Sequence, residues 1–352
     1  MLKLSDFDYH LPDELIARYP AERREGSRLL VVGGRDEGQW ARDGRFIDRK
    51  FTDLIEYLNA GDVLVLNETK VIPARLAGLR ESTGAHVEIF LLHRQADRTD
   101  TWHVLAAPAK KVKTGEVIRI NDELSCEVMG ELAEGERIVR FRSSGDLEAA
   151  IERAGAMPIP PYLKRDSDET DRERYQTIFA RVPGAVAAPT ASLHFTEELL
   201  KQIEAKGIGI AKVILHVGLG TFRPVEVEDI TQHTMHAEYY EVSETAAEVI
   251  NNARKSGGKV IAAGTTAART LETVADEHGV VHAGSGETSI FIYPPYTFKA
   301  VDALVTNFHQ PKSTLLMMVS ALAGAETIRD AYAHAIQERY RFLSYGDAML
   351  IQ

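Results

Sequence analysis

The chain has 352 residues, more than one hydrophobic core ordinarily supports, so two domains or one large domain with an insertion are expected. Its 44% hydrophobic and 26% charged content is that of an ordinary globular protein, while 52 acidic against 41 basic residues leave a net charge of -11, which argues against a generally basic nucleic-acid binder. A single cysteine, Cys126, excludes an intrachain disulfide and any thiolate metal cluster; the first residues hold no apolar signal core, and the longest apolar run, Leu315 to Ala325, is too short to span a bilayer, so a soluble cytoplasmic protein with no membrane partner is expected.

In chain order, Asp13 to Arg18 reads as a short helix after Pro12, and Arg28 begins a strand. A turn covers Gly33 to Gly38, and the spacing of Phe51, Leu54, Ile55 and Leu58 predicts an amphipathic helix. From Gly61 to about Gly145, short runs rich in branched residues (GDVLVLN, PARLAGLR, HVEIFLLHR, TWHVLAAP, EVIRIN, LSCEVMG, RIVRFR) alternate with turn signals, the cadence of a small β-barrel with Cys126 as a buried hydrophobe. A helix over Asp146 to Ala154 closes that module, and MPIPPYLKR forms a stiff connector. The charged stretch DSDETDRERYQ reads as an exposed loop. Beyond His194, helices (TEELLKQIEAK, SETAAEVINNARK, TTAARTLETVADEH, STLLMMVSALA, TIRDAYAHAIQERY) alternate with apolar strands (IGIAKVILHV, KVIAAG, SIFIYP, ALVTNF, FLSYGDAMLI). That order gives an α/β fold: a discontinuous α/β sandwich domain with a mixed, largely parallel sheet over residues 1–60 and 156–352, and an inserted all-β barrel domain over 61–155.

In such sheets ligands bind beyond the carboxyl ends of the strands. Two small-residue segments place isolated polar groups where backbone can approach a ligand: GAVAAPTASLHF, with Thr190 and His194, and LHVGLGTFRPV, with His216, Gly218, Gly220, Thr221 and Arg223. A third, TNFHQPKST, adds Asn307, His309, Lys312 and Ser313. Thr265 and Thr266 stand at a helix start, where free N–H groups suit a carboxylate or phosphate and where simple capping explains a threonine equally. Arg269 either clamps an anion or pairs along its helix with Glu272 or Thr273. HVGLGTFRP lacks the third glycine of a dinucleotide fingerprint, HTMHAE lacks the paired pattern of a zinc hydrolase, and no P-loop occurs, so no metal is expected. The basic clusters Arg23, Arg24 and Arg28, then Arg42, Arg45, Arg49 and Lys50, then Lys110, Lys111 and Lys113, read as solvated faces. Tyr162, Lys164, Arg165 and Arg174 are candidates to meet a polyanion.

The segments DYHLPDELIARYPAERREGSRLLVV, LNETKVIPARL, MPIPPYLKR, GAVAAPTASLHFT, LHVGLGTFRPV, GTTAARTLE, TNFHQPKSTLLMMVSALAG and YRFLSYGDAML together resemble the S-adenosylmethionine:tRNA ribosyltransferase-isomerase family over nearly the whole chain. The resemblance implies transfer and isomerisation of the ribosyl group of S-adenosylmethionine onto 7-aminomethyl-7-deazaguanine at the tRNA wobble position, giving epoxyqueuosine and releasing adenine and methionine. It implies no cofactor, since S-adenosylmethionine is consumed as a substrate, and tRNA as the macromolecular partner of a monomeric enzyme. Ser192, Ala267, Ala268, Glu287, Pro295 and Gln310 depart from the family's usual residues.

A sulfonium acidifies the adjacent C5′ hydrogens, so a weak base suffices to start such a reaction. On this reading one of His194, His216 and His236 removes the proton, and a second histidine or Asp347 assists adenine departure. Thr190, Gly218, Gly220, Thr221, Arg223, Thr265, Thr266, Arg269, Asn307, His309, Lys312 and Ser313 form the substrate site, and Asn67, Arg75, Tyr162 and Lys164 contact the tRNA. The competing classes are an S-adenosylmethionine-dependent RNA methyltransferase, disfavoured by the absence of a Gly-rich loop after the first strand, and a non-catalytic RNA-binding module, disfavoured by the acidic balance.

Overall fold

The structure is a computed structural model that describes residues 2–33, 46–95, 97–218, 220 and 225–352. The turn at Gly33 to Gly38, the cluster members Arg42 and Arg45, and the candidates Thr221 and Arg223 lie partly or wholly outside the described residues.

The strands, in chain order, are β1 (Arg28–Val32), β2 (Phe46–Lys50), β3 (Val63–Asn67), β4 (Thr69–Val71), β5 (Arg75–Arg80), β6 (His86–Arg94), β7 (Thr101–Ala107), β8 (Val117–Arg119), β9 (Leu124–Glu131), β10 (Glu136–Ser143), β11 (Val182–Ala185), β12 (Gly209–Leu215), β13 (Glu238–Val242), β14 (Val260–Ala263), β15 (Gly284–Thr288), β16 (Ala303–Asn307) and β17 (Ala348–Ile351). Nine of them form a mixed sheet ordered β15-β13-β12-β3-β14-β16-β17-β1-β2, and β10-β7-β6-β5-β8-β9 close a barrel. The central neighbours β12, β3, β14 and β16 run parallel.

Period-two burial explains how one sheet serves two faces. Val63, Val65, Ala262, Leu304, Met349 and Ile351 pack on one side against helices Glu244–Lys255, Thr265–Val274, Thr314–Ala323 and Ala325–Gln337. Leu64, Leu66, Ile261, Ala263, Val305 and Leu350 pack on the other, against Phe51, Leu54 and the helix Glu197–Ala205. The barrel has its own core, with Cys126 inside it; burial pushes the Cys126 thiol up to about 12, as a small hydrophobe requires. Several helix starts are capped as their sequences dictate, by Asp146, Thr196, Ser243 and Ser313.

Four expectations change. GDVLVLN, grouped by cadence with the barrel, contributes β3 to the middle of the large sheet; Val63, Leu64, Val65 and Leu66 are all sealed on both faces, which a continuous apolar run permits and an alternating barrel strand would not. The short helices expected at Asp13 to Arg18 and after Phe51 are 3-10 turns over Asp13–Leu15 and Phe51–Tyr57. The strand expected at SIFIYP lies instead on the polar edge segment Gly284–Thr288, because Ile292 is drawn into the core while β13 pairs with the residues before it. The charged stretch after Arg165 is an ordered helix, Glu169–Arg174, in which Asp171 is fully buried.

Asp171 accepts both Arg165 guanidinium donors, at 2.7 and 2.8 Å, the Tyr345 hydroxyl at 2.5 Å and the Asp168 amide at 2.8 Å, and so ties the connector to the C-terminal segment. Removing one partner of such a pair leaves the other desolvated and uncompensated. Asp171→Ala is expected to cost about 3–5 kcal/mol in denaturant unfolding, and a loss below about 1 kcal/mol would show that the network is not structural.

Candidate active site

The main cleft opens where the parallel strands end. Gly264, Thr265 and Thr266 follow β14, Thr306 to Gln310 end and follow β16, and Val217 follows β12; Ala187 to Ala191 close one wall, and Tyr162, Tyr175, Leu343 and Ser344 another. The open space of the cleft is about 700 Å³, its solvent mouth included. Chain segments more than a hundred residues apart meet here because adjacent parallel strands must stop at the same edge.

Asn307 organises the polar floor. Its amide oxygen accepts the Thr190 hydroxyl at 2.8 Å, and its amide nitrogen faces the Asp347 carbonyl and His194 Nε2, each at 3.4 Å. Ser192, one of the departures, donates to the Ala263 carbonyl at 3.2 Å beneath the cleft, and Ser313 caps the next helix. His309 is held from three sides: Nε2 lies 2.8 Å from Thr306 Oγ1, its amide donates to the Tyr332 hydroxyl at 2.9 Å, and its carbonyl accepts Tyr9 at 2.5 Å. Burial lowers the His309 imidazole to about 3, so the ring is neutral. Tyr162, pushed up to about 12 by burial, shares a 2.5 Å hydrogen bond with Ser344.

Among the described residues, three side chains here are desolvated and incompletely used. Tyr175 and Thr266, on the cleft wall, each have a buried hydroxyl without a partner. One turn along the helix from Thr266, Arg269 gives Nη1 to Glu238, whose other oxygen accepts the Gly218 amide at 2.9 Å, but Arg269 Nε and Nη2 are buried and unpartnered. Those two N–H groups form the edge of a guanidinium that grips a carboxylate bidentately. The pairing along the helix considered for Arg269 is not formed: Glu272 is instead taken by Tyr296, Lys299, Ala300 and Val301.

Of the sequence candidates, the cleft gathers Thr190, Thr265, Thr266, Asn307, His309, Ser313 and Tyr162. The other described candidates fall outside its wall. His194 is buried against Phe51 on the far side of Asn307, in a small recess that shares Ser344 with the cleft. His216 lies 2.8 Å from Thr69 Oγ1 and stacks on Tyr239, so close to Gly184 that a Cβ there would sit 2.7 Å from the ring. His236 is exposed beside Gly220. The Asp347 carboxylate accepts the backbone amides of Arg28 and Arg341 at 3.0 and 2.8 Å, which commits it to holding β17 and β1 in place. Among the residues proposed for RNA, Asn67 is completely buried and exchanges amide hydrogen bonds with Leu215, Arg75 faces Glu88 at 3.7 Å, and Lys164 pairs with Asp13 at 2.6 Å. Lys312 pairs with Asp8 at 2.9 Å outside the cleft.

Tyr175, Phe308 and Ser344 line the cleft and escaped sequence reasoning. Ser344 sits in a motif that was read only as a strand, and Tyr175 in a stretch read only as a charged loop. Gln310 lines the cleft as well, whereas Glu287 lies on the edge strand β15 and Ala267 and Ala268 are buried in the helix behind Thr266. Among the described residues no group of three metal-ligating side chains converges, and no helix is long and apolar enough to cross a membrane.

Residues 4–351 match the family described as queuosine biosynthesis protein. The S-adenosylmethionine:tRNA ribosyltransferase-isomerase of Symbiobacterium thermophilum is 56% identical over 351 residues, spanning 99% of this chain and 100% of its own length, and that of Acetivibrio thermocellus is 51% identical over 352 residues, spanning 100% of both. A crystal structure of the S-adenosylmethionine tRNA ribosyltransferase from Thermotoga maritima is 37% identical, covers 99% of this chain and 100% of its own, and superposes with a TM-score of 0.55. With a whole-chain family match and identities above one half, the chain belongs to the queuosine biosynthesis family of S-adenosylmethionine:tRNA ribosyltransferase-isomerases.

Proposed function

We infer that the chain transfers and isomerises the ribosyl group of S-adenosylmethionine onto 7-aminomethyl-7-deazaguanine at the tRNA wobble position, releasing adenine and methionine and leaving epoxyqueuosine in the RNA. The observation that carries this reading is the cleft at the carboxyl ends of the parallel strands, with a desolvated hydroxyl and an unpaired guanidinium edge on one helix beside it. S-adenosylmethionine brings a carboxylate, ribose hydroxyls and a sulfonium. The carboxylate suits Arg269 Nε and Nη2, already oriented by Glu238, and Thr266 and Thr190 suit the hydroxyls. The cationic sulfonium favours a wall without ammonium or guanidinium groups, and the cleft lining has none.

Among the histidines we assign proton transfer to His309, the one that lines the cleft, over His194, His216 and His236. A base must reach the hydrogen it removes, and His309 lines the cleft as a neutral ring, the form that accepts a proton. Where Nε2 donates to Thr306, Nδ1 carries the free lone pair. Loss of the C5′ proton, opening of the furanose with cleavage of the bond to adenine, which takes up a proton, attack of the 7-aminomethyl nitrogen on the ribosyl fragment with loss of its own proton, closure to a cyclopentane and displacement of methionine by an alkoxide then complete the conversion. S-adenosylmethionine is a substrate, no separate cofactor is required, and the enzyme acts as a cytoplasmic monomer. An RNA methyltransferase would leave S-adenosylhomocysteine instead, so chromatography of the small products with mass spectrometry of a modified anticodon stem-loop decides between the two chemistries.

His309→Ala is expected to slow adenine release by about 10²–10⁴-fold, while His216→Ala and His236→Ala stay within a few-fold of the parent; a parent-like rate for His309→Ala removes the base assignment. A second consequence concerns pH. The folded chain keeps His309 neutral down to about pH 3, whereas the unfolded chain protonates it near 6.5, so the unfolded state binds the extra proton and stability falls as pH drops through that interval. In unfolding titrations, His309→Gln should flatten this acid-side slope by up to about one proton, or about 1.4 kcal/mol per pH unit; an identical slope would mean that the ring is already charged in the fold.

A further inference from the structure

The recess behind Ser344 is separate from the cleft and is lined by Arg23, Arg24, Arg174, His194 and Tyr345 together with short apolar residues. Chain segments about 150 residues apart meet in it, and three guanidinium groups result. Arg24 donates to the carbonyls of Gln176, Leu193 and Glu173 at 2.9, 3.2 and 2.9 Å. Arg174 donates to those of Glu22 and Ala21 at 3.2 and 2.8 Å, and its Nε is buried without a partner. Carbonyl oxygens satisfy hydrogen bonds but do not cancel a unit charge. Among the described residues none of the three arginines forms an ion pair, whereas Arg28, next to them in sequence, pairs with Asp48 at 3.3 Å and stacks on Tyr340. The nearest acidic influence on Arg24 is Glu173, which makes no ion pair with it, and Arg341, whose charge also reaches His194, is partly neutralised by Asp347 at 3.5 Å. The surplus of positive charge is therefore local, in a chain whose net charge is -11.

Its position gives the surplus a meaning. Ser344 belongs to both cavities, and its hydroxyl is bonded to Tyr162 on the cleft wall. A ligand that places a base and sugar in the cleft and an anionic group one residue away would occupy both. We propose that this recess receives a backbone phosphate of the RNA strand adjacent to the nucleotide being modified, with Arg23 as the exposed contact and Arg24 and Arg174 as a charged wall fixed by the carbonyls they hold. The inference rests on the tRNA reading above. Phosphate contacts set register and supply salt-dependent affinity without reading sequence.

The test uses the full chain and an anticodon stem-loop carrying 7-aminomethyl-7-deazaguanine, with binding measured across a salt series and adenine release measured on the same samples. Arg23→Gln should raise the dissociation constant about five- to ten-fold at low salt and reduce the slope of log affinity against log salt by about 0.7–0.9, with the KM for S-adenosylmethionine unchanged. Arg174→Lys, which keeps the charge while loosening the carbonyl clamp, should retain the slope whatever it does to stability. The control is Arg119→Gln on the exposed barrel surface, which should leave the slope as it is. An unchanged slope in Arg23→Gln, an equal drop in Arg119→Gln, or a rise in the S-adenosylmethionine KM instead of the RNA constant would each overturn the proposal. Failure of the parent chain to release adenine from S-adenosylmethionine would defeat the catalytic reading instead, and is distinguishable because the salt slopes are read from binding alone.

Discussion

The pairing of β3 between β12 and β14 is the constraint on which the rest of the molecule turns. β3 is hydrogen-bonded along both edges and covered on both faces, so its register fixes where its neighbours stop. Asn67, the last residue of β3, uses its side-chain amide as a further rung, donating to the Leu215 carbonyl and accepting the Leu215 amide. The carboxyl ends of β12, β14 and β16 are thereby aligned, and the loops leaving them have one shared exit. The barrel departs from the same edge: β4 follows β3 almost at once, and the returning chain pairs with it as β11 before running into Ala187 and Ala188 of the cleft wall. At the barrel's other join, Gly155 lies so near Pro73 that a Cβ would fall 2.0 Å from its carbonyl oxygen, which holds exit and entry together.

Around that edge the polar groups divide into two kinds. Asn307, Asp347, Asp171 and Asn67 are spent on neighbouring side chains and on backbone, and each is buried with hydrogen bonds made. Thr266 and the outer edge of Arg269 are, among the described residues, buried with donors to spare, a state that costs free energy. Glu238 keeps the Arg269 charge from being isolated while leaving its bidentate edge open. The histidines obey the same economy: His194 and His309 are both lowered to about 3, chiefly by burial, so neither adds charge to an interior that must accept a sulfonium.

The sequence made the architecture legible where periodicity and caps agree. The helices after His194 stand where they were expected, because propensity, capping and amphipathic spacing act locally. β3 was misread because four apolar residues in a row fit a barrel strand or a parallel core strand equally until the partner strands are known. Asp171 was read as solvent-exposed because a carboxylate amid other charges gives no hint that Arg165 of the connector and Tyr345 of the C-terminal segment will enclose it. The site was half visible. Small residues beside isolated polar ones pointed to Thr190, Thr265, Asn307 and His309, which line the cleft, and equally to His216, which stacks on Tyr239 outside it, and Asp347, which holds strands. Residue type marks what a side chain can do; the direction it faces depends on strand register, and a one-residue change of register reverses it.

Net charge misleads for a related reason. At physiological ionic strength charges separated by more than about 8 Å are largely screened from one another, so a polyanion close to the surface responds to the nearest few groups. Of the three basic clusters visible in the sequence, Arg28 is paired with Asp48 and Lys113 with Glu131, and those charges are already answered within the fold. Arg23 and Arg24 are instead joined by Arg174 from the far side of the connector, and the carbonyls that fix Arg24 and Arg174 leave their charges in place. An acidic chain can therefore present a small cationic recess beside its cleft while its net charge of -11 repels nucleic acid. That repulsion favours binding in which the strand enters with its modified nucleotide at Ser344, the one side chain common to both cavities, over binding spread across the surface.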